Sequence, residues 1–91
     1  MSAITIRREH TLGVEEAKRR VDRVAEDIGG RFRLTSRWDG DHLRVNGSGV
    51  TGRIVVEEQS VEIHVQMGFA MIMFRETIRS AIEESIDDYI T

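Results

Sequence analysis

The chain has no cysteine and no proline. The first absence excludes a disulfide framework, a cysteine-based zinc site and a thiol nucleophile. The second, beside eight glycines, argues against a proline-rich linker or tail. Long apolar runs are also missing. The longest, Phe69 to Phe74, is too short to span a bilayer, so no transmembrane segment is expected. The opening Met-Ser-Ala-Ile-Thr-Ile-Arg-Arg lacks the apolar region of a signal peptide, which makes a cytoplasmic protein the expectation. What remains is a globular composition: 91 residues, 40% hydrophobic and 32% charged. That is one domain over residues 1–91 with one core and no room for a separate catalytic domain. A chain of this length buries roughly 60–65% of its unfolded surface, so folding needs most of its apolar residues.

Basic residues are nearly all arginine, with Lys18 the exception. The net charge of −3 is unevenly spread: residues 1–55 sum to +3 and residues 56–91 to −6. Two readings follow. The halves attract each other within one fold, or they form opposed surfaces for head-to-tail association.

Periodicity supplies the fold. Ile4 and Ile6 alternate with Thr5 and Arg7 as a half-buried strand. Thr11 is placed to cap a helix whose first turn holds Glu15 and Glu16. Val14, Ala17, Val21, Val24 and Ile28 form its apolar stripe, and Gly29-Gly30 is read as its stop. Four period-two runs follow. Their inward residues are Phe32, Leu34, Ser36 and Trp38, then Leu43 and Val45, then Val50, Gly52, Ile54 and Val56, then Val61, Ile63, Val65 and Met67. Asp39-Gly40-Asp41, Asn46-Gly47-Ser48-Gly49 and Glu58-Gln59-Ser60 are turns. A helix from about Phe69 to Tyr89 closes the chain, its stripe made by Met71, Phe74, Ile78, Ala81, Ile82, Ser85, Ile86 and Tyr89. The expected fold is α+β in the order β-α-β-β-β-β-α. A five-stranded antiparallel sheet, ordered 2-3-4-5-1, would carry two helices on one face, a reduced helix-grip-like arrangement.

Three stretches carry a family resemblance. They are Ile-Thr-Ile-Arg-Arg-Glu-His-Thr-Leu-Gly before an arginine-rich amphipathic helix, Arg37-Trp38-Asp39-Gly40-Asp41-His42-Leu43 with Gly49-Val50-Thr51-Gly52-Arg53-Ile54, and Met67-Gly68-Phe69 with Phe74 and a long acidic final helix. The ordered set resembles the small bacterial polyhydroxyalkanoic acid system family over the whole chain. The resemblance implies an accessory role in storage-polyester metabolism, at or near the granule surface. It brings no catalytic residues.

The residues themselves offer few catalytic constellations. His10, His42 and His64 have no ligand spacing and read as surface histidines. Glu83-Glu84 and Asp87-Asp88 are like-charge i,i+4 pairs on a helix face, without the oxygen-ligand loop of a calcium site. Ser48 sits in a turn between strands, not in a nucleophile elbow. No catalytic residue, cofactor or metal is assigned, and the protein is read as a non-enzyme.

Three surfaces remain. Phe69, Met71, Ile72, Met73 and Phe74 form an apolar cluster, either tucked into the sheet edge or used as an interaction patch. Its partner would be a second copy in a homodimer, the polyester granule or a granule protein. Trp38, Ile54 and Ile63 could border a pocket for an acyl chain, the alternative reading being a small apolar-ligand carrier. Arg31, Arg33, Arg37, Arg44 and Arg53 share the outer sheet face and suit anions. Without interleaved aromatics, that face is not expected to bind nucleic acid.

Overall fold

The computed structural model describes residues 2–47 and 49–90. Ser48, read above as a turn residue, lies outside them. The strands are β1, Ser2–Glu9, β2, Thr35–Asp39, β3, His42–Gly47, β4, Val50–Val56, and β5, Ser60–Met67. They pair antiparallel in the order β1-β5-β4-β3-β2: short connections set the meander from β2 to β5, and β1 pairs with the remaining edge of β5. The helices are α1, Val14–Phe32, and α2, Arg75–Tyr89, the latter preceded by a 3₁₀ turn over Phe69–Phe74.

Alternation decides the faces. Ile4, Ile6, Leu43, Val50, Ile54, Val56, Val61, Ile63, Val65 and Met67 are buried, because only the face under the helices excludes water. The α1 stripe Ala17, Val21, Val24 and Ile28 and the α2 stripe Ile78, Ala81, Ile82 and Ile86 close the other side of one core. Ile90, just past α2, is buried as well.

The first helix departs from expectation at both ends. Gly13, not Thr11, occupies its N-cap, with φ of 79° and no side-chain cap. Gly29-Gly30 does not stop it. The helix runs on to Phe32 and ends at Arg33 in the left-handed region, φ 57°. Leu34 N–H then returns to Gly29 O at 3.0 Å, the six-to-one bond of a Schellman close. Gly29 is needed for close approach, since a Cβ there would meet Leu34 O at 3.0 Å. Phe32 and Leu34 are therefore not strand residues: β2 starts at Thr35, and only Ser36 and Trp38 keep the expected inward parity, opposite Val45 and Leu43.

The final helix departs too. Its first turn is 3₁₀, and α2 begins at Arg75. Phe74, expected in the α2 core stripe, is half exposed.

Candidate functional site

The 3₁₀ turn is an ordered apolar shoulder at the end of β5. Gly68 N–H donates to Gly49 O at 2.9 Å, and Met71 N–H to Gly68 O at 2.9 Å. At the far end Arg75 Nη2 donates to Ala3 O at 3.1 Å, tying the junction with α2 to the edge strand β1. A 3₁₀ helix has three residues per turn, so i and i+3 eclipse. Phe69 stands over Ile72, Ala70 over Met73 and Met71 over Phe74. Met71 is the root: its Cγ would touch a Cβ at Gly49 at 3.3 Å, and it packs against the core. The others face water. Phe69 and Met73 are each 90% exposed, Phe74 50% and Ile72 37%. Both Met71 and Phe74 were expected in the core from the α-helical spacing of 100° per residue. Met71 is partly buried, while Phe74, at the junction with α2, is half exposed.

The residues expected around an acyl pocket do not converge. Ile54 and Ile63 line an apolar slot between the helices and the sheet, with Ile28, Val45 and Ile82, but its volume is about 40 Å³ and Trp38 is not part of it. Small-molecule sites run to roughly 300–1,000 Å³. Trp38 lies instead at the β2 edge, half-buried. Its Nε1 donates to Asp22 Oδ1 at 2.7 Å, and Lys18 Nζ sits 4.8 Å above the ring. The same ammonium reaches Gly40 O at 3.0 Å and Asp41 Oδ1 at 3.4 Å. Trp38 is thus a clasp between α1 and the β2–β3 hairpin.

The arginines divide into two groups. Arg31 is on α1, paired with Asp27 at 3.3 Å, and Arg33 caps that helix. The sequence placed both on the outer strand face; neither lies there, because α1 runs on past Gly29-Gly30 to Phe32. Arg37, Arg44 and Arg53 are direct cross-strand neighbours on β2, β3 and β4, and His64 on β5 completes the row. His64 was missed because its strand was read alone; the hairpin register would have found it.

His10 is not a surface histidine. It is buried. Its Nδ1 accepts from Leu12 N–H at 3.1 Å and its Nε2 faces Glu57 O at 3.0 Å. With both ring nitrogens engaged by backbone groups, the histidine serves the fold, bracing the β1–α1 connection against the end of β4. Among the described residues, no three of the His, Asp and Glu side chains are grouped to hold a metal ion, and no helix is long and apolar enough to cross a membrane. On α2, Glu83 pairs with Arg79 and Asp87 with Arg8, while Glu84 and Asp88 face solvent.

These features define a class: an α+β protein with one face of its antiparallel sheet under two helices, the other face wet, and an apolar shoulder leading into the last helix. Over residues 4–90 the chain matches the family described as "Putative polyhydroxyalkanoic acid system protein". The chain belongs to that family. No curated protein and no solved structure matches it.

Proposed function

We propose that this chain is a non-enzymatic accessory protein of polyhydroxyalkanoate metabolism that docks on the storage granule through its apolar shoulder. The observation that carries the reading is the exposure of Phe69 and Met73 on a hydrogen-bonded turn. Covering each of them is worth roughly 1.5–3 kcal/mol. A small domain rarely leaves adjacent large apolar side chains in water without a use for them. Met71 holds the turn down, and Ile72 and Phe74 widen the contact. Membership of the family supplies the polyester context. The protein would then be cytoplasmic and partly granule-bound. The acyl-carrier alternative has less support, since the slot beside Ile54 and Ile63 holds about 40 Å³.

The test uses the double variant Phe69→Ser with Met73→Ser. Circular dichroism should match the parent, because neither side chain is in the core. Co-sedimentation with purified granules should fall severalfold. Sedimentation velocity on the same samples separates granule docking from a homodimer. A parent that dimerises, with a monomeric variant that still binds granules, would assign the shoulder to self-association instead.

A further inference from the structure

The wet face of the sheet carries a feature that the apolar shoulder does not explain. Register places Arg37 opposite Arg44, Arg44 opposite Arg53, and Arg53 opposite His64. The row thus crosses four adjacent strands, spanning roughly 14 Å at the usual strand spacing. Like charges directly opposite one another destabilise a sheet, so three consecutive guanidiniums are a standing cost. Little on the protein offsets it. Arg44 reaches Asp39 at 3.6 Å, with both side chains mostly in solvent, and His64 meets Glu62 at 3.2 Å. Among the described residues, Arg37 and Arg53 form no ion pair. The next row along the strands is neutral and polar: Thr35, Asn46, Thr51 and Gln66. A shallow depression of about 380 Å³ runs between the two rows, lined by Arg44, Asn46, Thr51, Arg53, His64 and Gln66.

We infer that this depression binds a small soluble anion bearing at least two linked phosphate groups, a pyrophosphate or a diphosphate ester. Arg44 and Arg53 grip one phosphate from neighbouring strands. Arg37 and His64 extend the grip to either side, and the amides of Asn46 and Gln66 with the Thr51 hydroxyl donate to the remaining oxygens. Charge sets the class. A single carboxylate is satisfied by one guanidinium fork and would leave the other two arginines repelling each other. A multiply charged phosphoanion neutralises the row and offers oxygens to donors arriving from several strands. A nucleic-acid strand fits less well, because no Phe, Tyr or Trp side chain lies on this face to stack a base and the chain is net acidic at −3.

Titration calorimetry with inorganic pyrophosphate tests the site. One-to-one saturable binding is expected, weakening as salt is raised. Arg44→Gln and Arg53→Gln should each weaken it about tenfold or more, the loss expected for a charge-assisted bond. Arg23→Gln, an exposed arginine on α1, should leave it unchanged. Both row variants should melt at or above the parent's temperature, which keeps a binding loss from being a folding loss. Citrate bound as tightly as pyrophosphate would overturn the assignment to phosphate. Pyrophosphate binding unchanged in both row variants would overturn the site. Binding to vesicles containing phosphatidic acid, with none to free pyrophosphate, would overturn the soluble ligand in favour of a lipid headgroup.

Discussion

Two residues sit in conformations or surroundings that their chemistry does not favour, and each makes a measurable claim. Arg33 is in the left-handed region at φ 57°, which costs a residue with a Cβ about 1 kcal/mol. Glycine is the usual occupant of that place after a helix. Arg33→Gly should therefore raise stability by about 0.5 kcal/mol, the strain relief less the added freedom of the unfolded chain. Urea denaturation with an unchanged slope reads it. The same variant should bind pyrophosphate like the parent, since Arg33 is outside the cationic row. Ser85 is the second case. It is buried on α2, and its Oγ has no hydrogen-bond partner among the described residues. An unpaired buried hydroxyl costs about 1–3 kcal/mol, and alanine is the better helix former. Ser85→Ala should gain about 1 kcal/mol. A loss instead would mean that the hydroxyl is bonded to a trapped water. His10 contrasts with both, because each of its ring nitrogens has a backbone partner.

At the scale of elements, the β2–β3 hairpin depends on its clasp to α1. β2 is short, at the sheet edge, and only Trp38 of its residues is partly buried. Trp38→Ala removes the ring, the bond to Asp22 and the contact with Lys18 together. The expected cost is about 2 kcal/mol, below the 3–5 kcal/mol of a fully buried aromatic, because part of the ring is already wet. Chemical denaturation measures the cost. A value near zero would mean that the hairpin is held by its ladder alone. The inward faces of β3, β4 and β5 were legible in the sequence because strict alternation has a single solution once one face is covered. The element ends were less so. Gly29-Gly30 resembles a helix stop, yet Gly29 serves close packing against Leu34 O, a tertiary demand with no local signature. The apolar run Phe69–Phe74 carries no polar residue to mark which side faces out, so nothing in it announces a period of three. The arginine row was half legible. Arg37, Arg44 and Arg53 share parity, but Arg31 and Arg33 were drawn in with them by the misplaced helix end.

For the whole molecule, surface and topology set where motion concentrates. The accessible surface is 5643 Å², against about 5,400 Å² expected for a compact monomer of this mass. The two agree, as for a compact fold of this mass. β5 is hydrogen-bonded along both edges, to β1 from Ser60 to Met67 and to β4 from Val61 to Met67, and both helices close over its inner face. Amides there open only when the molecule unfolds, whereas the 3₁₀ turn hangs on a few bonds at its two ends. Native-state hydrogen exchange should thus grade the chain. Ile63 and Val65 should exchange at the free energy of global unfolding, and Ile72 and Met73 by local opening several kcal/mol easier. Granules added to the same protein should slow exchange at Phe69–Phe74 and leave β5 unchanged, since docking covers the shoulder without touching the core. Slowing confined to the β2–β4 side would place the granule contact on the arginine row. Slow exchange across the turn in the free protein, independent of concentration, would show it to be a fixed part of the core. The shoulder would then have no role in docking.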